Sequence, residues 1–441
     1  MVIASTYSKK IKETQYNKAF VDTTKKYRQA VDFFIDVGLR EYEALKDLSP
    51  KQLRVNKMEH FTVKTNNNPT PKYDFGKEYY KFPSYLRRAA ISEALGKVFS
   101  YKSNLANWEL NPVGKKPGLP KAGYVCPALY RKNTFNTLGP YTAEVKVWIR
   151  NTWDWATITF NKGDCDYIAR HCCNRKECAP TLRKRGKEWF LDFPFEESAS
   201  LIDVPIENRV ILAVDLGINS PCTCVAMKAD GTVLGRHFLK LPREQDSLNR
   251  ATNRIKKAQQ HGARKTPVLW ALANGTNDNI AVKTAQFIVD CAVLHSAFTV
   301  VFEKLDVRGK KRGGKKQKLH LWRANYVQTM VTDKAHRLGI HISRVCAWNT
   351  SRLAFDGSGK VERGKEANLG SYSVCRFKNG KVYNCDLNAA YNIGARYFIR
   401  EILKSSMVTP GLDIPAKVPE CSKRSTCTLS TLINLNAVLA A

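Results

Sequence analysis

Three acidic residues in this chain stand where a carboxylate can be held rigidly. Asp215 ends the apolar run Val210-Ile211-Leu212-Ala213-Val214, and Glu303 ends Phe298-Thr299-Val300-Val301-Phe302. Asp386 opens the helical pattern Leu387-Asn388-Ala389-Ala390-Tyr391-Asn392-Ile393. Carboxylate oxygens suit Mg2+, which keeps several waters and needs only a few protein ligands. Two such ions about 3.5–4 Å apart neutralise charge at the attacking and leaving oxygens of a phosphodiester. The expected arrangement has Asp215 bridging two Mg2+ ions, with Glu303 and Asp386 each completing one site. Singly, each acid has an ordinary role: Asp386 as a helix N-cap, Glu303 as a strand end paired with Lys304, Asp215 as a turn residue before Leu216-Gly217. Their joint placement, on a very basic chain, points to metal-dependent hydrolysis of nucleic acid.

The charge supports that direction. Of 441 residues, 72 are Lys or Arg and 39 are Asp or Glu, a formal net charge of +33. Such an excess repels itself unless a polyanion neutralises it. The bases are spread along the chain, which excludes a basic tail and favours a charged groove. Candidate nucleic-acid contacts are Arg87 and Arg88, the turn Arg183-Lys184-Arg185, Lys256 and Lys257, and the glycine-flanked loop Lys310-Lys311-Arg312 that follows the Glu303 strand. The rings of Tyr79, Tyr80, Phe82 and Tyr85 are placed either to stack on bases or to fill a core. The first twelve residues hold no apolar run suited to a signal peptide, and no run of about 18 apolar residues exists for a membrane span. The 13 cysteines are an odd number in a chain of ordinary domain size, which argues against a secreted disulfide framework. A reduced, cytoplasmic protein is expected.

The elements that must carry the acids follow from the apolar spacing. Residues 1–14 read as a strand leading into a basic helix. Helical periodicity recurs through Phe20, Tyr27, Ala30, Val31 and Phe34, and again through Leu86, Ala90, Ile91, Ala94, Leu95, Val98 and Phe99. From about Gly118, turns and short β-branched runs predict a small antiparallel β domain, read as a barrel. Beyond Ile206 the pattern is mixed α/β. A three-stranded meander turning at Asp230-Gly231 is followed by helices around 248–258 and 280–294, then the Glu303 strand. A helix with Trp322, Val327 and Val331, a strand over 340–348, a polar insertion with a hairpin at Asn379-Gly380, and the Asp386 helix complete it. The fold class expected is multidomain α+β.

Val214-Asp215-Leu216-Gly217-Ile218, Phe302-Glu303-Lys304-Leu305 and Asp386-Leu387-Asn388-Ala389-Ala390-Tyr391-Asn392-Ile393 resemble the three motifs of the RuvC-like nuclease of transposon-encoded TnpB proteins and compact type V CRISPR effectors. The segment from Leu321-Trp322-Arg323 through His336-Arg337-Leu338-Gly339-Ile340 to Asn349-Thr350-Ser351-Arg352 is similar too. The likeness covers about residues 205–400; upstream it is one of architecture. It implies a β-barrel wedge domain over 1–14 and 118–204, an inserted helical recognition domain over 15–117, a RuvC-like (RNase H-like) nuclease over 205–400, and a tail over 401–441. It further implies a prokaryotic RNA-guided DNA endonuclease, acting as one copy or two, whose partners are a guide RNA and a target DNA. In that scheme base pairing chooses the sequence and the protein reads a short flanking motif.

The chain departs from this pattern where the family carries a four-cysteine zinc ribbon. Over about 346–385 only Cys346, Cys375 and Cys385 remain, with no Cys-x-x-Cys pair, so the insertion is expected to be a hairpin without zinc. Cys165, His171, Cys172, Cys173 and Cys178 match no standard knuckle, and Cys421 and Cys427 fall in the polar tail. Three other readings share some residues. A sugar-kinase-like ATPase would use Asp215-Leu216-Gly217 as a phosphate loop with a second loop at Asp356-Gly357-Ser358-Gly359. A cut-and-paste transposase also uses three acids. An RNA-guided DNA-binding repressor would keep the scaffold without cleavage.

Overall fold

The computed structural model describes residues 1–112, 114–217, 220–305, 322–364, 369–371, 373–408 and 426–440. It is a mixed α+β chain that forms two compact units, Val2–Glu197 and Ser198–Ala441 with Met1. Among the described residues no helix is long and apolar enough to cross a membrane.

In the first unit, β1 (Val2–Lys10) leads into α1 (Asn17–Arg40), followed by α2 (Lys51–Thr62) and α3 (Ser84–Leu110). Phe20, Tyr27, Ala30, Val31 and Phe34 are buried along α1, and Leu86, Ala90, Ile91, Ala94, Leu95 and Val98 along α3, as their spacing predicts. Next come β2 (Phe135–Thr137), β3 (Thr142–Ile149), β4 (Thr152–Thr159), α4 (Lys162–Cys172), β5 (Lys176–Glu177), β6 (Thr181–Arg185) and β7 (Glu188–Ser198). The strands make two antiparallel sheets, β2-β3-β4 and β1-β7-β5 with β6 also on β7. Ile11 links them: it bridges Phe160, and its N–H donates to the Trp189 carbonyl at 2.9 Å. One continuous core joins helices and sheets, so Phe20 and Phe34 share it with Phe135, Val145 and Phe193. Helix α4 differs from the all-β expectation for this stretch. Cys165, Ile168 and Cys172 recur at three and four residues and are its buried face, so two members of the supposed cysteine cluster are core residues, whereas Cys173 is exposed.

The second unit is built on a five-stranded sheet in the order β10-β9-β8-β11-β12. Its strands are β8 (Val210–Asp215), β9 (Cys222–Lys228), β10 (Val233–Leu239), β11 (Thr299–Lys304) and β12 (His341–Cys346). The first three form the predicted antiparallel meander, while β11 runs parallel to both β8 and β12. Central parallel strands are covered on both faces and therefore read as unbroken apolar runs. That is why Ile211–Val214 and Val300–Phe302 are all buried. Helices α5 (Pro242–Gln260), α6 (Pro267–Leu294) and α7 (Ala324–Arg337) lie between β10 and β12 in the chain, and residues of α6 and α7 pack against Leu212, Val214 and Phe302. Helices α5 and α6 start well before the expected 248 and 280, each with a proline at its first turn, where the missing N–H costs nothing.

The polar insertion forms a three-stranded sheet, β13 (Glu362–Arg363), β14 (Val374–Arg376) and β15 (Val382–Asn384). It has its own small core of Ala354, Cys375, Phe377 and Cys385, with Phe355 and Tyr383 against it. Helix α8 (Cys385–Val408) then crosses the sheet face opposite α6 and packs on Ile211, Ala213 and Val301. The expected tail contains a further helix, α9 (Leu429–Ala440), whose Leu429, Leu432 and Leu435 enter the same core together with Cys427. Cys427 is therefore buried and not part of a polar tail, while Cys421 lies outside the described residues. The crossing of α8 is close at Gly394, where an added Cβ would lie 3.1 Å from Met227 Sδ and 3.3 Å from Ala213 Cβ. Replacing it by valine (Gly394→Val) overpacks this contact and is expected to cost about 1–3 kcal/mol. Chemical denaturation followed by far-UV circular dichroism checks it, and an unchanged midpoint contradicts the close crossing.

Candidate active site

Parallel pairing brings the first two acids side by side. Phe302 on β11 is in register with Val214 on β8, so one step further Glu303 faces Asp215, on strands about 4.8 Å apart. Asp386 lies in the first turn of α8, and the helix delivers it to the same sheet edge. All three carboxyls are pushed above the ordinary carboxylate range. For Asp215 the causes are burial first, then the charges of Glu303 and Asp386. For Glu303 and Asp386 the cause is burial, opposed by a hydrogen bond from Thr350 and one from Ser220 respectively. The arrangement is thus a half-buried knot of like charge.

Its supports come from three directions. Gly217 and Ser220 approach closely, since a Cβ on Gly217 would stand 2.5 Å from the Ser220 carbonyl oxygen, and Ser220 hydrogen-bonds Asp386. Thr350 Oγ1 donates to Glu303 Oε1, and Gln328 Nε2 donates to the Glu303 carbonyl at 3.1 Å. The loop carrying Thr350 is itself held by a polar stripe on α8. Asn388 Nδ2 donates to the Leu353 carbonyl at 2.8 Å, and Asn392 Nδ2 donates to the carbonyls of Thr350 and Leu353, both at 2.9 Å. Arg396 Nη1 donates to the carbonyls of Cys346 and Trp348 at 2.7 Å. These side chains recur every four residues, on one helix face, and all three are buried. Spacing alone contained the signal, since Asn at two successive i, i+4 positions in an otherwise apolar helix demands buried partners.

Arg363 was not foreseen. It sits on β13, and its positive charge favours the ionised forms of Asp215 and Asp386. Its guanidinium donates to the Ser351 carbonyl at 2.5 Å, yet its Nε is buried without a hydrogen-bond partner among the described residues. No signal in the sequence marked it, because a two-residue strand in a polar insertion has no periodicity. Asp356, the candidate for a second phosphate loop, instead accepts from the Ser358 N–H at 3.0 Å and from Asn379 Nδ2 at 2.9 Å within the insertion.

The donor set at the three acids is all carboxylate oxygen, the hard set that fits Mg2+. Among the described residues no group of three or more His, Cys, Asp or Glu side chains is placed to hold a metal ion, so the fit to Mg2+ rests on the donor chemistry of the three acids. Cys375 and Cys385, the remnants of the ribbon pattern, are buried and their thiols hydrogen-bond each other; Cys346 is exposed.

The basic candidates separate into two groups. Arg87 and Arg88 both pair with Glu59, at 3.2 and 2.9 Å, and so tie α3 to α2. Arg183 and Arg185 both pair with the buried Asp192, at 3.0 and 2.6 Å, leaving Lys184 against the Trp189 ring. Lys256 and Lys257 are exposed on α5. Lys310, Lys311 and Arg312 lie outside the described residues. Of the expected stacking rings, Tyr79 stacks on Phe75 and Phe82 is buried, whereas Tyr80 and Tyr85 are exposed.

Fold and site together define a multidomain α+β protein centred on three convergent carboxylates. The model of the Aq_aa04 family matches residues 5–149. The TnpB-like protein aq_aa05 of Aquifex aeolicus (strain VF5) is 28% identical over 233 residues, which are 48% of this chain and 74% of that protein. The uncharacterized protein aq_aa04 of the same organism is 32% identical over 123 residues, 25% of this chain and 68% of that one. The chain belongs to the family of the aq_aa04 protein and is similar to a TnpB-like protein. Among solved structures, the Cas12f1–sgRNA–target DNA complex is similar at 15% identity and a TM-score of 0.35, covering 89% of this chain and 98% of that one. Alicyclobacillus acidoterrestris C2c1 with single-guide RNA is similar at 10% identity and a TM-score of 0.42, covering 87% and 71%.

The raised carboxyls give a signed expectation. A carboxyl with a raised pKa in the folded chain contributes stability at low pH and loses it as pH rises through that value. At neutral pH the metal-free cluster is therefore a cost. Neutralising one member (Asp215→Asn) is expected to raise the melting temperature of the metal-free protein at neutral pH by about 2–4 °C, with the gain shrinking as pH falls. A lower melting temperature at neutral pH would contradict this reading of the cluster.

Proposed function

We propose that this chain is an RNA-guided DNA endonuclease. Its second unit acts as a RuvC-like nuclease, and its target is chosen by guide-RNA pairing together with a short flanking DNA motif. The observation that carries the reading is the meeting of Asp215, Glu303 and Asp386, from two parallel strands and a helix start, at one sheet edge. A formal charge of +33 and the TnpB-like relative support the choice of nucleic acid as substrate. Within the first unit, 1–14 and 118–204 are read as the barrel wedge and 15–117 as the helical recognition region.

In this reading the three acids hold two Mg2+ ions, which supply charge neutralisation and an activated water when bound. The chain's own residues set the stage. Thr350 fixes the Glu303 rotamer, Ser220 holds Asp386, and the Gly217 turn keeps Asp215 at the strand end. Arg363 presents a fixed guanidinium beside the acids, a group suited to the planar recognition of phosphate oxygens. Exposed bases on α5 meet the backbone of the incoming strand. The working place of such an enzyme is the prokaryotic cytoplasm, on nucleoid DNA.

The test uses full-length protein purified with RNA from expression alongside its native flanking DNA. Sequencing that RNA should give a constant scaffold with a variable end. DNA matched to the variable end should be cut only with a divalent cation. Both Asp215→Ala and Glu303→Gln should slow cutting at least about 100-fold, and Arg363→Met should do so by about 10–100-fold, all with target binding retained. If the parent chain binds matched DNA and leaves it intact, the reading gives way to a guided repressor. Random RNA fragments would point to an unguided nuclease or a transposase.

A further inference from the structure

Beside the acids lies a cleft of which the nuclease reading uses only the exposed base Lys256. Its volume is about 430 Å³, and it begins at Leu216-Gly217, directly after Asp215. One wall is a face of α5 bearing Gln245, Asn249, Asn253 and Lys256, at the three- and four-residue spacing that aligns side chains on a helix. Helix α6 lines it with apolar Ile280 and Ala281 and polar Asn277 and Thr284, and Trp322 lines it too. Trp322 Nε1 donates to the Gly217 carbonyl at 3.1 Å, so the indole is anchored to the segment that positions Asp215.

The lining has the chemistry of a nucleotide site. Asn249 and Asn253 are exposed, and their amides make no hydrogen bond to a described residue. An Asn amide offers a donor and an acceptor side by side, the pattern that matches a base edge. A fixed indole offers a face for stacking, and an exposed lysine offers a charge for phosphate. The volume is at the small end of the 300–1,000 Å³ or so typical of ligand pockets. It therefore admits one unstacked nucleotide and excludes a duplex.

We infer that this cleft is a nucleotide subsite, which takes a single unstacked nucleotide of the strand led to Asp215, Glu303 and Asp386. The base lies against Trp322 and between the Asn249 and Asn253 amides, and the phosphate meets Lys256. The identity of the strand rests on the nuclease reading, whereas the binding itself does not. The subsite holds the neighbouring backbone in register with the acids. It also selects single strands, because a paired base cannot enter.

The probe is 2-aminopurine deoxyribonucleoside 5′-monophosphate, whose fluorescence falls when its base stacks. Full-length protein is titrated into it at raised salt, which suppresses non-specific phosphate binding. Saturable quenching at one nucleotide per chain is expected. Asn249→Leu with Asn253→Leu, both on the exposed face of α5, should weaken binding at least about tenfold. Lys256→Glu should weaken binding of the nucleotide several-fold and leave that of the phosphate-free nucleoside unchanged. Non-saturable quenching, or equal affinity in both variants, overturns the subsite. DNA cutting by the same preparation is scored separately. Saturable binding without cutting would sink the nuclease reading alone, and cutting without saturable binding would sink the subsite alone.

Discussion

Repulsion among Asp215, Glu303 and Asp386 is the constraint around which the second unit is organised. Two unit charges 4 Å apart near a protein surface interact by about 4 kcal/mol, and here three acids share one half-buried edge. Burial adds to the cost by favouring the neutral forms. A site of this kind stays assembled only if the backbone that presents each acid cannot retreat. The parallel pairing of β8 with β11 fixes the first two, and the close crossing of α8 at Gly394 fixes the third.

The surrounding polar groups meet the same constraint at the next level. Asn388, Asn392 and Arg396 form a buried stripe on α8 that donates to the carbonyls of residues 346–353, with Arg396 Nε donating to the Cys427 carbonyl. That stripe fixes the loop, the loop fixes Thr350, and Thr350 fixes Glu303. A partly satisfied buried network would be costlier than an apolar one. The insertion adds Arg363 as the nearby opposite charge. Its three short strands share a small core of Ala354, Phe355, Phe377 and Tyr383 with two contacting thiols.

The excess of positive charge is not uniform in its use. Arg87, Arg88, Arg183 and Arg185 are engaged by Glu59 and Asp192, and in the first unit they hold elements together. Bases without such partners among the described residues, Lys256 and Lys257 among them, remain for a polyanion. Counting lysines and arginines therefore overstates the number of contacts a nucleic acid makes, though not the sign of the field it meets.

The sequence by itself determined the central strands, the long helices of the first unit and the positions of the three acids, though not α4 or α9. Apolar runs buried on both sides made β8 and β11 readable, helical spacing made the cores of α1 and α3 readable, and each acid stood at the end of such a run. These signals are local, so the chain order displays them. Tertiary structure alone decided which of them meet. The register that sets Glu303 beside Asp215 joins residues 88 positions apart in the chain, and nothing in either segment specifies it alone. Arg363, the cleft at Trp322 and the pairing of Arg87 and Arg88 with Glu59 were invisible for the same reason. A charged side chain has no periodicity of its own, and whether it faces a partner or solvent depends on what the fold brings opposite it.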